Sequence, residues 1–540
     1  MLVVLVSLAW FATLGTRRLL EPDEGRYAEI SREMVVTGDW VTPRLNGIKY
    51  FENPPLQYWT TAAAYEVLGQ NEFAARLWTG LTGFAGIVLV AFAGQRLFNL
   101  RTGYAAAAIL GSCLLYIIIS HINTLDMSLS FFLELAIFSF LLAQTSPPHS
   151  RSEKYWMYLA WMATALGFMS KGLVALILPA LTLIAYTAAT RDFSSWKRLH
   201  LLPGMALFLL ISAPWIIAVS LKNPEFPQFF FIHEHFARFL TTVHERDAPW
   251  WYFLPLLALG ALPWTSIALP AFLASWRADS DSGIQVRRFM WIWVVSVISF
   301  FSISHSKLPP YIAPVFPMLA LLIAEALQRI NEQRLRVHFL IIGLFVGALT
   351  LTIALLPDDI AGQRSVDLVI TLRPRLALSL LIITLSALLA AHAIKRIGLH
   401  TAVAVLGLGS ITGLCVLVYS ADALRSTRSK YAFAQQLKSL IQPDNKLYSV
   451  QQYSQTLPFY LGRTFTLTGY RGELDFGLSQ EPALGLPDIE AFLTHWTTDT
   501  HPVAVMETQV AEQLSQRGIP MSVLASDSDL TAITKPQGHP

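Results

Sequence analysis

The chain has 540 residues, 54% of them hydrophobic and 14% charged, with a mean hydropathy of +0.48 and a formal net charge of +3. A soluble domain carries roughly a quarter charged residues, so this composition excludes an ordinary soluble globule. Basic residues are dispersed between apolar runs instead of gathered on one face, which argues against a nucleic-acid partner.

In chain order, apolar runs near the roughly 20 residues that a membrane helix needs centre on 1–15, 78–96, 104–120, 125–143, 155–170, 172–190, 201–220, 251–272, 289–303, 311–327, 337–356, 376–394 and 402–420. They predict thirteen spans of a polytopic α-helical membrane protein. Alternate turns between them hold Arg96 and Arg101, then Arg151 and Lys154, then Arg191, Lys197 and Arg198. The series continues with Arg277, Arg287 and Arg288, with Arg329, Arg334 and Arg336, and with Lys395 and Arg396. The opposite short turns hold the single lysines Lys171 and Lys307, apart from 357–375. An excess of Lys and Arg marks the cytoplasmic side. Loops 16–77 and 221–250, and the tail from about residue 421, are therefore expected outside the cytoplasm.

Arg17 and Arg18 run against this bias. The first apolar run begins at Met1 without a basic lead, and no small-residue cleavage pattern precedes Glu21. A cleaved signal peptide is therefore not expected, and the native start is expected upstream. Cys113 and Cys415 lie inside apolar runs and read as small packing residues.

Hydropathy falls after Tyr419, and 421–540 reads as a small soluble domain of alternating helix and strand. Helical spacing is expected over 432–440, 489–496 and 509–516, and strands over 446–450, 464–468 and 503–506. Gly469-Tyr470-Arg471-Gly472 reads as a turn and not as a phosphate loop, so no nucleotide cofactor is expected. The expected role of this domain is structural or gating, on the external face.

Loop 16–77 is too long and polar for a connector. It carries Glu21-Pro22-Asp23-Glu24-Gly25-Arg26-Tyr27-Ala28-Glu29-Ile30 and, further on, Lys49-Tyr50-Phe51-Glu52-Asn53-Pro54-Pro55-Leu56. Pro22 with acids behind it predicts a helix over 23–36. Tyr27, Ile30, Met34, Val35 and Val36 form an apolar stripe, so that helix is expected to lie flat at the membrane surface. Asp23 and Arg26 share one face, where an i,i+3 ion pair is the plain structural reading.

The run from Glu21 to Leu56 closely resembles the aminoarabinose transferase family, C-type glycosyltransferases similar in architecture to the protein O-mannosyltransferases. The likeness recurs around 121–130, 168–179, 228–252 and 304–317 and is weak in the tail. It implies a transmembrane glycosyltransferase domain over 1–420 and a soluble periplasmic α/β domain over 421–540. It also implies residence in the bacterial inner membrane, with the site facing the periplasm. The reaction implied moves a sugar, 4-amino-4-deoxy-L-arabinose or a relative, from undecaprenyl phosphate to lipid A or another envelope acceptor. Asp23 corresponds to the family's catalytic carboxylate, and Asp126, in His121-Ile122-Asn123-Thr124-Leu125-Asp126-Met127, resembles a second family acid. Helix capping is the structural alternative for Asp126.

A lipid-phosphate leaving group needs cations to neutralise its developing charge, with water kept from an oxocarbenium-like centre. Arg26, Lys171 (in Ser170-Lys171-Gly172), Arg238 and Lys307 fall at the external ends of spans, and Tyr311 follows Lys307 in Ser306-Lys307-Leu308-Pro309-Pro310-Tyr311. Snorkelling explains any one of these cations alone; four on the less basic side point to phosphate binding. Glu52 with His233 and His235 offers carboxylate and imidazole to a divalent metal, zinc or manganese, and His244 is a further candidate. The alternative is interfacial histidines bonded to their neighbours.

Where the family frequently has Glu-Lys-Pro-Pro, this chain has Glu52-Asn53-Pro54-Pro55. That substitution leaves carrier-phosphate binding to Arg26 and Lys171. Glu134 falls in mid-span, where an ionisable group invites a functional reading, yet it lies too deep for this chemistry and is expected to pack between helices. Within enzymes the alternative is a protein hydroxyl acceptor. Outside them, a lipid-linked sugar flippase would show paired inverted repeats, which the sequence lacks.

Overall fold

The computed structural model describes residues 2–237, 248–276, 283–360 and 366–536. The chain divides into two compact units, one of Met1–Thr16, Glu52–Gln57 and Arg76–Ala421, the other of Arg17–Phe51, Tyr58–Ala75 and Asp422–Pro540. Most of the long first loop is thus grouped with the C-terminal segment, whereas the sequence reading attached it to the membrane domain.

The first unit is helical. Among the described residues eight helices are long and apolar enough to cross a membrane: Glu72–Leu97, Leu125–Thr145, Leu201–Lys222, Val286–Ile303, Pro309–Leu327, Glu332–Leu355, Val366–Arg396 and Leu399–Arg428. Two further pairs bend sharply at a short break, Leu100–Gly111 with Leu114–Ser120 at 68° and Phe253–Gly260 with Thr265–Ala274 at 114°. Val6–Gly15 and Val174–Thr190 are shorter apolar helices. The remaining predicted run, 155–170, falls in the helix Arg151–Lys171, which carries three charges in its first turn, at Arg151, Glu153 and Lys154. Eight of the thirteen expected spans therefore stand as single crossing helices, and ten if each bent pair counts as one.

Local chemistry sets several helix starts. Asn99 accepts from the Thr102 N–H at 3.0 Å, and Ser150 accepts from that of Glu153 at 3.1 Å. Small residues allow close crossings without lipid between them. A Cβ on Gly103 would stand 2.4 Å from the Ala91 carbonyl oxygen, so only glycine fits where Leu100–Gly111 meets Glu72–Leu97. Glu134 is buried against Gly86, close to Tyr116, and neither carboxyl oxygen has a hydrogen-bond partner among the described residues. That is a helix-packing position, as the sequence suggested.

The second unit is built on a six-stranded sheet. Its strands are β3 (Lys446–Val450), β4 (Thr466–Thr468), β5 (Gly485–Leu486), β6 (Pro502–Glu507), β7 (Ser522–Ser526) and β8 (Leu530–Thr534); a short hairpin of β1 (Arg44–Leu45) and β2 (Ile48–Lys49) comes before them. The order is β5-β4-β3-β6-β8-β7. Strands β3 to β6 run parallel, and β8 and β7 close the edge antiparallel. Parallel neighbours need crossovers, supplied by the helices Leu457–Leu461 and Ile489–Thr498. One apolar cluster joins Leu19, Ala28, Tyr65 and Ala74 from the first-loop segments to Phe433, Leu457, Val503 and Ala532. At Gly469–Gly472 the chain bends between β4 and a short 3-10 helix over Gly472–Leu474, with both glycines at positive φ.

The first-loop helix spans Asp23–Thr37, close to its expected bounds, but its setting differs. Every residue from Glu24 to Met34 is buried, including Glu24, Arg26, Glu29, Arg32 and Glu33. It is a core helix of the second unit and not an amphipathic helix lying on a membrane. Ion pairs make the burial of its charges possible.

Candidate active site

In the second unit, Pro22 precedes the helix and Asp23 and Glu24 fill its first turn. Arg17 grips Glu24 with two hydrogen bonds of 2.6 and 3.0 Å, and the Leu20 N–H adds a third at 3.0 Å. Arg18 pairs with Glu72 at 2.7 Å and lies 3.8 Å above the Tyr431 ring. The two arginines that run against the charge bias thus anchor the chain leading into this helix.

Arg26 Nη1 donates to Asp23 Oδ1 at 2.9 Å, while Nη2 pairs with Glu473. Glu473 in turn accepts from Gln455 Nε2 at 2.9 Å. The Arg26 side chain is only 8% exposed, whereas that of Asp23 is 44% exposed. A buried guanidinium engaged by two carboxylates therefore fixes one acid that still faces outward. Such a pre-oriented carboxylate can take a proton from an acceptor or steady positive charge on a sugar. Close approach sets the local backbone, since a Cβ on Gly25 would stand 2.6 Å from the Gln455 carbonyl carbon.

Deeper in that helix, Glu29 and Arg32 form a two-bond pair of 2.7 and 2.6 Å. Glu33 accepts from the Gly47 N–H at 2.8 Å. Burial, reinforced by the charge of Glu29 and opposed by that N–H and by Arg32, pushes the Glu33 carboxyl up to about 8. Burial first, then the charges of Glu29, Glu33 and Glu473, raises the neighbouring Tyr453 hydroxyl well above its ordinary value.

In the first unit, three sequence candidates meet. Asp126, in the first turn of Leu125–Thr145, forms an ion pair with Lys171, the last residue of Arg151–Lys171. Lys171 Nζ also lies 4.5 Å from the centroid of the Tyr311 ring. Asp126 is not the cap of its helix; that position is Thr124. Ser170 Oγ stands 2.9 Å from Ser128 Oγ, which accepts from Trp78 Nε1 at 3.0 Å. Gln57 Nε2 donates to Asn123 Oδ1 at 2.9 Å. Lys307 is buried and donates to the Ser304 carbonyl at 2.6 Å.

Asn53 is buried. His233 stacks on Phe229 and lies 3.2 Å from Glu234. Among the described residues no group of three or more His, Cys, Asp or Glu side chains is arranged to hold a metal. The His235 side chain, Arg238 and His244 lie outside the residues described. Sequence reading missed Glu473, because only the folded C-terminal segment brings it to Arg26. It also gave no role to Ser128, Asn123 or Gln57, single polar residues beside apolar runs.

A family profile described as "Aminoarabinose transferase C-terminal domain" matches residues 433–535, and one described as "Dolichyl-phosphate-mannose-protein mannosyltransferase" matches residues 1–230. The chain is 34% identical over 357 residues to the undecaprenyl phosphate-alpha-4-amino-4-deoxy-L-arabinose arabinosyl transferase 2 of Pseudomonas fluorescens, covering 65% of this chain and 64% of that one. It is 36% identical to the corresponding transferase of Aeromonas salmonicida, over 63% and 62% of the two chains. The matched stretches thus span a little under two thirds of those relatives. Among solved structures, ArnT from Cupriavidus metallidurans bound to undecaprenyl phosphate superposes with a TM-score of 0.93 at 34% identity, covering 99% of this chain and 98% of that one. An archaeal oligosaccharyltransferase from Archaeoglobus fulgidus shares the fold more distantly, with a TM-score of 0.51 at 12% identity over 94% of this chain and 70% of that one. With a third of its residues identical across nearly the whole of a solved aminoarabinose transferase, the chain is a multi-pass membrane protein that belongs to the aminoarabinose transferase family.

Proposed function

We propose that this chain transfers 4-amino-4-deoxy-L-arabinose from undecaprenyl phosphate to lipid A, at the periplasmic face of the bacterial inner membrane. The observation that carries the reading is its likeness, along 99% of its length, to a solved ArnT with undecaprenyl phosphate bound. The side chains support it. In transfer, the bond from the anomeric carbon to the carrier phosphate breaks, its electrons leave on undecaprenyl phosphate, and an acceptor oxygen bonds to that carbon. Lys171, steered by Asp126 and the Tyr311 ring, suits the role of counter-charge to the departing phosphate. Lys307 and Arg238 are further cations for the carrier, and Arg26 serves through its hold on Asp23.

Asp23 is the proposed catalytic carboxylate. A phosphate acceptor is already ionised at neutral pH and needs no base, so there Asp23 orients the acceptor and steadies the oxocarbenium-like sugar; with a hydroxyl acceptor it takes the proton. Asn53, in place of the family's lysine, leaves more of the phosphate charge to Lys171. A divalent cation held by Glu52, His233 and His235 would add Lewis-acid neutralisation of the same phosphate.

The test is Asp23→Asn in membranes supplied with the undecaprenyl-phosphate-linked sugar and lipid A. The variant keeps an oxygen for Arg26 and should fold, while transfer is lost. Full transfer by a folded Asp23→Asn protein would remove Asp23 from the reaction.

A further inference from the structure

The membrane unit has a cavity of ≈ 540 Å³ lined by the ends of three helices. Arg96 comes from the last turn of Glu72–Leu97, Thr145 and Ser146 from the end of Leu125–Thr145, and Arg151 and Ser152 from the start of Arg151–Lys171. Arg151 and Lys171 stand at opposite ends of a helix of 21 residues, so this cavity lies about 30 Å along the helix from the Lys171 and Asp126 pair.

Its chemistry is that of an anion site. Two arginines line it, and no carboxylate does. Among the described residues neither Arg96 nor Arg151 forms an ion pair; Arg96 only lies 5.4 Å over the Phe92 ring of its own helix. Glu153, the acid that follows Ser152, is buried and already held by Arg198 at 3.2 Å. Arg198 also donates to the carbonyls of Gln144, Ala143 and Ser146 at 2.7, 2.8 and 2.7 Å, so the negative end of Leu125–Thr145 is covered. The Arg151–Lys171 helix begins at the cavity, its start capped by Ser150 with Glu153 in the first turn, so the positive charge facing the cavity is that of the two arginines. The hydroxyls of Ser146 and Ser152 lie 3.1 Å apart on the wall, and that of Ser146 donates to the Leu142 carbonyl at 2.8 Å.

The other wall is apolar and aromatic: Leu142, Tyr155 and Trp156, with Trp156 packed 5.8 Å from Phe92. Amphipathic rings of this kind mark the level of lipid headgroups in a membrane protein. Basic pockets between helix ends at that level bind anionic headgroups. We propose that this cavity is a binding site for the phosphodiester headgroup of an anionic phospholipid. Arg96 and Arg151 grip the phosphate, and the acyl chains leave past Leu142 and Tyr155 into the bilayer. This assignment rests on the cavity alone and not on the sugar-transfer reading.

Native mass spectrometry of the full-length protein, released from nanodiscs of phosphatidylglycerol or of phosphatidylcholine, counts the lipids retained. The wild type should retain phosphatidylglycerol and not phosphatidylcholine. The Arg96→Gln, Arg151→Gln double variant should weaken phosphatidylglycerol retention on the order of thirtyfold, the worth of two arginines near a charged headgroup. Arg151→Gln alone, at an exposed residue, should lose about fivefold and melt like the wild type in lipid-free detergent. Equal retention of both lipids would overturn the proposal, as would undiminished phosphatidylglycerol retention in the double variant. Inorganic phosphate is the second arm: full displacement of the lipid by phosphate alone would make this a soluble-anion site instead.

Discussion

Lys171→Met tests whether the Asp126 and Lys171 pair belongs to the chemistry or only to the fold. The substitution keeps an unbranched side chain one atom shorter and removes the charge, leaving the Asp126 carboxylate, whose side chain is 12% exposed, without its cation. Removing one partner of a buried pair costs about 3–5 kcal/mol. Lys171 is 20% exposed, so water reaches part of the site and the lower end, about 3 kcal/mol, is expected. Asp126→Asn on top of Lys171→Met removes the stranded charge and should restore most of that stability. The assay is a double-mutant cycle on detergent-purified protein, with denaturation midpoints and sugar transfer read on the same samples. The double variant should melt close to the wild type and yet transfer no sugar. A coupling below about 0.5 kcal/mol would refute the energetic argument, and wild-type transfer by the double variant would show the pair to be structural alone.

Glu33→Gln should flatten the dependence of stability on pH. The folded carboxyl titrates at about 8 against an ordinary value of 4.5, so it keeps its proton in the folded protein where the unfolded chain has lost it. That contribution is full below about pH 4.5 and is lost as the pH rises to about 8, with an upper bound of about 5 kcal/mol across the window. Melting curves at several pH values should show the wild type falling through this range and Glu33→Gln holding level; parallel curves would contradict the buried-carboxyl account. Chelation of divalent ions should lower transfer, and added zinc or manganese should restore it, with Glu52→Gln reproducing the loss. Undiminished transfer under both treatments would remove the metal from the reaction.

The membrane helices were readable because length and hydropathy alone define a span. The exceptions are physical: Arg151–Lys171 carries charges in its first turn, and Leu100–Ser120 is broken at Cys113 by a bend that hydropathy does not register. In the tail, β3, β4 and β6 were visible as β-branched or apolar runs; β5 is only two residues long, β7 is largely exposed, and β8, a buried β-branched run, was missed. The first-loop helix was predicted within a residue of its ends, but its burial was misread. An amphipathic reading sends charges to water, whereas Glu24, Arg26, Glu29 and Arg32 are buried in pairs with partners three to seven positions away or far along the chain. Asp23 and Arg26 were legible through family likeness and their i,i+3 spacing. Their third partner, Glu473, sits 447 positions from Arg26 in a stretch with no motif, and only folding reveals it.

The reaction proposed for this chain is the addition of aminoarabinose to lipid A. Mass spectrometry of lipid A, from cells with and without the gene product and otherwise identical, tests it most directly. A lipid A species heavier by one aminoarabinose residue is expected only where the protein is present, and is expected to be absent when Asp23→Asn replaces the wild type. Identical lipid A from the two cells, with the protein folded in the membrane and the carrier-linked sugar available, would contradict it and move the acceptor elsewhere in the envelope.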